Sequence, residues 1–82
     1  MIVGVNLDSF NKAVDIANIC SKYACDVDAD AICGKYVVDA ASILGMESIV
    51  GHWISIEVVD HDPDNKNVEK LVDELNRSGV CA

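Results

Sequence analysis

The spacing of apolar residues near the start of the chain predicts a strand followed by a helix. Ile2–Val5 is a short, mostly apolar run of the kind found in strands. From Phe10 onwards, apolar residues recur at the spacing of one helix face, at positions 13, 14, 17, 20 and 24. We therefore predict an amphipathic helix over Phe10–Tyr23, with Asp8 or Ser9 capping its first N–H groups.

The middle of the chain changes to the two-residue period of a strand. Residues 25–30 alternate between small apolar side chains and aspartates, which predicts a half-buried strand. A turn and the β-branched run Lys35–Asp39 follow, so residues 25–39 are predicted to form a β-hairpin. The same alternation over Trp53–Asp60 predicts the last strand, whose inward positions are Ile54, Ile56 and Val58.

Two further helices are predicted on either side of that last strand. Ser42 precedes the apolar segment Ile43–Val50 and suits the N-cap of a helix of two turns. Gly45 weakens this helix, and close packing of the helix on the sheet is one explanation for it. Asp62 as a cap and Pro63 at the first helical position predict a last helix with an apolar stripe of Val68, Leu71, Val72 and Leu75.

The predicted order of elements is β-α-β-β-α-β-α, and residues 1–82 are expected to form one domain. A hairpin implies an antiparallel sheet, and a single sheet with helices packed on it makes a two-layer α+β sandwich. Apolar residues make up 51% of the chain, which is enough to build one core.

The net charge of the chain disfavours some classes of binding partner. The formal net charge is −8, with a pI near 4.3, so no basic surface is expected for nucleic acid or for anionic membranes. Solubility is the simplest explanation of the acidity, and docking of basic partners is the alternative. No apolar run is long enough for a membrane helix, and the chain begins directly with a strand, so a cytoplasmic location is predicted.

The cysteines and aspartates do not predict a metal site. Four cysteines are irregularly spaced without a C-x-x-C pair, and we expect them to be reduced, with Cys20 and Cys25 buried and Cys81 exposed. The aspartates at positions 26, 28 and 30 resemble the start of a calcium loop. However, Ala31 and Val37 occupy the positions where such a loop needs glycine and glutamate, so neither a metal nor a cofactor is expected.

One segment of the chain resembles a known family. Residues 34–51 read GKYVVDAASILGMESIVG. This segment resembles the surroundings of the regulatory serine in HPr proteins, the small phosphocarriers of the bacterial sugar phosphotransferase system. The element order is similar to that of the family along most of the chain. The resemblance implies a four-stranded antiparallel sheet covered on one face by three helices.

The histidine that gives HPr proteins their chemistry is missing at the corresponding place. The family carries it at the start of the first helix, followed by an arginine and a proline. Alignment through Ala13 puts Ser9 at the histidine, Asn11 at the arginine and Lys12 at the proline. The two histidines of this chain, at positions 52 and 61, lie elsewhere in the sequence. We therefore predict neither histidine phosphocarrier activity nor any other enzymatic activity.

The second phosphorylation site of the family is retained in this chain. Ser42 corresponds to the regulatory serine, and phosphorylation there would add about −1.5 to −2 charges at a helix start. The resemblance implies partner docking through neighbouring residues, here Ile43, Leu44 and Met46, with Glu47 at a position that is usually apolar in the family. An interpretation of Ser42 as a plain helix cap is equally open.

These observations favour a non-catalytic regulatory or adaptor protein with an HPr-like fold. Its partners would be proteins: a serine kinase, an enzyme of the phosphotransferase system or a transcription regulator. One alternative is a phosphocarrier that uses a non-standard residue. Another alternative, of a different class, is a small anion-binding domain at the start of the first helix, formed by Ser9, Asn11 and Lys12.

Overall fold

The computed structural model describes residues 1–79, and in this part of the chain it contains one sheet and three α-helices. The order of elements agrees with the sequence prediction. Their bounds are β1 Ile2–Leu7, α1 Phe10–Lys22, β2 Val27–Cys33, β3 Tyr36–Asp39, α2 Ile43–Glu47, β4 His52–Asp60 and α3 Asn67–Ser78.

The four strands form an open antiparallel sheet with the order β1-β4-β2-β3. β4 is a central strand, because it pairs with β1 through Val5 and Ile54 and with β2 through Ala29 and Val58. The predicted α+β class with an antiparallel sheet is therefore confirmed.

The core lies between one face of the sheet and the helices. Alternate strand residues are buried there, including the predicted inward set of β4, and they meet buried residues of the helices in one cluster. The other face carries no helix, and we call it the open face. It consists of the alternate strand positions, which are Ile2, Gly4, Asn6, Asp28, Asp30, Ile32, Val37, Asp39, Trp53, Ser55, Glu57 and Val59.

The hairpin is tighter than predicted. β2 continues to Cys33, because the alternation extends through the buried Ala31, and only two residues separate it from β3. Gly34 has a φ of 59°, a conformation that glycine adopts without strain. β2 also starts later than predicted, so Cys25 lies in a turn and is exposed, and the expectation of a buried Cys25 was wrong.

Helix α1 agrees with its prediction apart from its first turn. Ser9 is the N-cap, and its Oγ accepts a hydrogen bond from the Lys12 N–H at 3.2 Å. Cys20 is buried as predicted. Phe10, however, is 61% exposed, so the buried side of α1 begins at Ala13.

Helix α3 has the predicted stripe but a different cap. Residues Pro63–Asn65 form a 3-10 turn, and Lys66 has a left-handed backbone with a φ of 54° that separates this turn from the helix. The capping carboxylate comes from Asp60, whose Oδ2 accepts hydrogen bonds from Asn67 N–H at 2.8 Å and Val68 N–H at 3.2 Å. The prediction that Asp62 caps this helix was therefore wrong.

Helix α2 is shorter than predicted, and its end is tied to the sheet. It covers five residues, and residues 48–50 form turns instead of the predicted second helical turn. The Gly51 N–H donates a hydrogen bond of 2.7 Å to the Leu7 carbonyl, which holds this connection against the end of β1. The prediction for Cys81 lies outside the described residues.

Candidate docking surface around Ser42

Ser42 is the N-cap of α2. Its Oγ accepts a hydrogen bond of 3.1 Å from the Gly45 N–H, and its carbonyl accepts one of 2.9 Å from the Met46 N–H. The side chain is half-buried. The predicted capping role is thus confirmed, and phosphorylation of the same hydroxyl stays a prediction.

The chain that leads into α2 is fixed from two sides. One carboxylate oxygen of Asp39 accepts the Ala41 N–H at 2.9 Å, and the Asp39 carbonyl accepts the Ser42 N–H at 3.0 Å. From α1, the Ser21 hydroxyl lies 3.1 Å from the Ala41 carbonyl, although its nearer acceptor is the Ala17 carbonyl of its own helix at 2.7 Å. The start of α2 is therefore held between the end of β3 and the last turns of α1.

Gly45 brings α2 close to the sheet. A Cβ atom at this position would lie 3.3 Å from three atoms, which are the Ser42 Cβ, the Ser42 Oγ and the Val38 Cβ on β3. Such distances are tighter than ordinary side-chain packing allows. The packing explanation for Gly45 is therefore confirmed.

The structure divides the four predicted docking residues into two groups. Leu44 is 80% exposed and Ile43 is 42% exposed, as the prediction required. Met46 is 0% exposed and belongs to the core, and Glu47 is half-buried. The expectation of an exposed Met46 was wrong, because Gly45 and Met46 occupy the side of α2 that faces the sheet and the core, while Ile43 and Leu44 lie on its outer side.

The sequence around Ser42 has no positively charged side chain that could pair with a phosphate on this residue. Residues 36–52 contain no lysine or arginine, while the Asp39 carboxylate lies in the turn that leads to Ser42. A phosphoserine here would make an already acidic edge more negative by about 1.5 to 2 charges.

The residues aligned with the family's histidine site form an ordinary helix start. The Lys12 Nζ lies 3.2 Å from a carboxylate oxygen of Asp8 and donates to the Asn6 carbonyl at 3.1 Å. Asn11 is exposed, and the Ser9 Oγ is used as the cap. The only cation among these residues is already paired, so nothing in this geometry favours the anion-binding alternative.

The two histidines lie at opposite ends of β4. His52 is the first residue of β4 and pairs with Leu7, two residues before the N-cap of α1. The fold thus brings one histidine to the same end of the molecule as the start of α1, which the sequence distance concealed. His61 follows β4, and its Nε2 lies 3.1 Å from an Asp28 carboxylate oxygen.

A groove of about 640 Å³ adjoins the end of α2, and sequence reasoning missed it. The turn between β2 and β3 forms one side, with Tyr36 exposed there, and the start of β4 forms the other. Ser48 and Ile49 connect it to α2. Two exposed aromatic residues at strand starts, Tyr36 and Trp53, were the available signal in the sequence.

Metal and membrane sites are not apparent in the described part of the chain. Within residues 1–79, no group of three or more histidine, cysteine or acidic side chains is arranged to hold a metal ion. No helix among these residues is long and apolar enough to cross a membrane. No disulfide joins Cys25 or Cys33 to another described residue.

No protein-family model matches the chain, and no curated protein matches it either. The likeness to HPr proteins therefore rests on the segment around Ser42 and on the order of elements.

Proposed function

We propose that this protein is a non-catalytic regulatory or adaptor protein of HPr-like character that docks a partner protein through α2. The observation that carries the proposal is the exposure of Leu44 and Ile43 beside a capping serine. These two residues, with Ser42 at their edge, are called the α2 surface. Leu44, 80% exposed, and Ile43, 42% exposed, are adjacent, so together they form a small apolar area that a partner can cover.

The structure of α2 suits a docking element. Met46 and Gly45 hold the helix on the core and against β3, so the α2 surface is presented on a fixed backbone. Binding through a fixed element loses little conformational entropy. The groove beside α2 offers further apolar area to a partner.

Capture experiments with matched variants test the docking proposal. Wild-type protein, Leu44→Asp and Phe10→Asp are immobilised and exposed to extract from the host cell, and bound proteins are measured by quantitative mass spectrometry. Phe10 is exposed in the first turn of α1, so Phe10→Asp makes the same apolar-to-acidic change on neither α2 nor the open face. Proteins lost with Leu44→Asp and retained with Phe10→Asp are expected. Identical captured sets for all three proteins would place docking elsewhere.

The proposed switch at Ser42 needs its own pair of variants. Ser42→Asp and Ser42→Asn both keep an oxygen that can accept the Gly45 N–H, and only the first adds a charge. The partner's affinity should change with Ser42→Asp and remain with Ser42→Asn. Equal affinities would leave Ser42 as a cap only. A phosphate on the Ser42 peptide of protein purified from its host is the direct measurement.

The position of His52 favours a second candidate, phosphocarrier activity through a non-standard residue. His52 lies beside the strand end that leads into α1, where the family's histidine would be. Incubation with phosphoenolpyruvate and the first enzyme of the phosphotransferase system tests it. An acid-labile phosphoryl group that disappears in His52→Ala would support this activity, and an unmodified wild-type protein would reject it.

A further inference from the structure

The lysines and arginines of the protein are excluded from its sheet. The four strands contain five carboxylate side chains and no lysine or arginine. The six lysines and arginines of the chain lie on helices or in turns. The lysines and arginines are therefore unevenly placed, and the carboxylates of the strands have none of them on the same sheet.

Three of these carboxylates form a row across the open face. Asp30 on β2 lies directly opposite Glu57 on β4 and directly opposite Asp39 on β3. Directly opposite side chains on one face have Cβ atoms about 4.5–5.5 Å apart, and like charges at this distance repel. The isolated protein thus carries an unfavourable arrangement in the middle of its sheet.

Little in the described structure neutralises this row. Neither Asp30 nor Glu57 has an ion pair or side-chain hydrogen bond with any residue between 1 and 79. Asp39 accepts only the Ala41 N–H through its carboxylate. His61 beside Asp28 lies beyond β4, at the end of the open face. The carboxylates in the centre of the open face are therefore available to a cation from outside the chain.

Apolar side chains flank the acidic row. The next row across the sheet pairs Ser55 with Ile32 and Ile32 with Val37, and Val37 is 62% exposed. Trp53, two residues before Ser55 on β4, is 66% exposed on the same face. The open face therefore combines anionic groups with uncovered apolar and aromatic area, as binding surfaces do.

We infer that the open face binds an extended, lysine- or arginine-bearing segment of a partner protein. Charge complementarity selects this occupant. A second copy of the chain would bring its own acidic residues against the carboxylates of the open face. Nucleic acids and anionic membranes are also negatively charged and would be repelled in the same way. A cationic segment would relieve the repulsion between Asp30 and its two neighbours.

The arrangement favours arginine in particular. A guanidinium can bond two carboxylate oxygens at once, and the row offers such oxygens on adjacent strands. A second guanidinium could stack on the exposed indole of Trp53. Alternate apolar residues of an extended segment would meet Ile32 and Val37.

Titration with a defined peptide tests this inference. The probe is a synthetic eight-residue peptide of alternating arginine and valine, and a glutamate–valine peptide is the control. Trp53 is the single tryptophan of the chain and lies on the open face beside the groove, so its fluorescence reports binding near it, and the paired variants below assign that binding to the open face. We expect a change in emission with the arginine peptide alone, and binding that weakens as salt rises.

Two double variants distinguish binding at the open face from a general effect of the net charge on affinity. Asp30→Asn with Glu57→Gln should weaken binding about tenfold, since two exposed carboxylates are removed. Asp15→Asn with Asp73→Asn removes two exposed carboxylates from α1 and α3 instead, and should leave affinity nearly unchanged. Equal weakening by both pairs, or no binding by the wild type, would overturn the inference.

A stability measurement provides a second readout. If the acidic row is unfavourable in the isolated protein, the variant Asp30→Asn with Glu57→Gln should melt at a higher temperature than the wild type. Asp15→Asn with Asp73→Asn should produce a smaller rise. A lower melting temperature for the first variant would show that the row is neutralised within the chain, which contradicts the inference.

Discussion

A Cβ atom at Gly45 would lie 3.3 Å from the Cβ of Val38. Gly45→Ala would gain about 1 kcal/mol of helix propensity, but two of the three atoms that it approaches are Cβ atoms fixed to backbone. Overpacking of this kind costs about 1–3 kcal/mol. We expect a net loss of about 1 kcal/mol in the free energy of unfolding, measured by urea denaturation. A more stable Gly45→Ala protein would show that α2 can move away from β3.

Met46 and Leu44 should respond oppositely to truncation. Met46→Ala would leave a cavity in the core and should cost about 2–5 kcal/mol of unfolding free energy. Leu44→Ala should change stability by less than about 0.5 kcal/mol, because the side chain is exposed. Chemical denaturation of both variants measures this difference. A large loss of stability in Leu44→Ala would mean that its exposure is not a docking feature.

His61 makes stability depend on pH near neutrality. Its Nε2 is 3.1 Å from an Asp28 carboxylate oxygen and its Nδ1 is 3.2 Å from the Cys25 carbonyl, so the doubly protonated ring satisfies both acceptors. The hydrogen bond to Asp28 is the main cause that raises the pKa of His61 above 6.5. The stabilisation is therefore present below the unfolded-state pKa and is lost as pH rises through the higher folded-state pKa.

His61→Gln should remove this dependence. We expect wild-type melting temperature to fall between about pH 5.5 and pH 8.5 by more than that of His61→Gln. The difference should be small, because the pair is exposed and screened by salt. His52→Gln is the matched control, since it replaces an exposed histidine at the other end of β4. Identical profiles for wild type and His61→Gln would contradict the prediction.

Asp60 should be more important for α3 than Asp62. Desolvation raises the pKa of Asp60, but hydrogen bonds from the backbone N–H groups of Asp62, Val68 and Asn67 outweigh it and lower the pKa below 3.8. This stabilisation is present above the unfolded-state pKa and is lost as pH falls through the lower folded-state value. Asp60→Ala should lower the melting temperature at neutral pH by several degrees.

Asp62→Ala is the comparison for that experiment. Its carboxylate accepts hydrogen bonds only from the Asp64 N–H and the Asn65 side chain within the described chain, so its loss affects the 3-10 turn. We expect a smaller shift in melting temperature than for Asp60→Ala, and near-normal α3 content by circular dichroism. Equal shifts would mean that the 3-10 turn, and not the Asp60 cap, sets the start of α3.

The sequence was sufficient for the order of elements, because both periods of the apolar pattern are strong. The alternation of Ile54, Ile56 and Val58 identified the buried side of β4, and the stripe through Leu71 and Leu75 identified the core side of α3. These signals depend only on local geometry, which the sequence displays directly.

The features that the sequence did not predict depend on tertiary structure. Asp60 caps α3 from seven residues away, since Lys66 reverses the backbone between them. Met46 was expected at the surface because the resemblance to HPr proteins implies docking through it, whereas the fold places it in the core. His52 came near the start of α1 only through the pairing of β4 with β1. Each of these requires knowledge of the topology.

The central position of β4 has a consequence for the order in which the protein can fold. The hairpin of β2 and β3 is the one strand pairing in the described sheet that joins neighbours in sequence. In the described sheet β1 pairs only with β4. The pairing of Ile2 with Glu57 therefore closes a loop of more than fifty residues, and it cannot form before Glu57 has been synthesised. During synthesis, the sheet cannot assemble until the chain has passed Asp60. Until then β1 has no partner strand, and the β2–β3 hairpin is the strand pairing that the described chain can form.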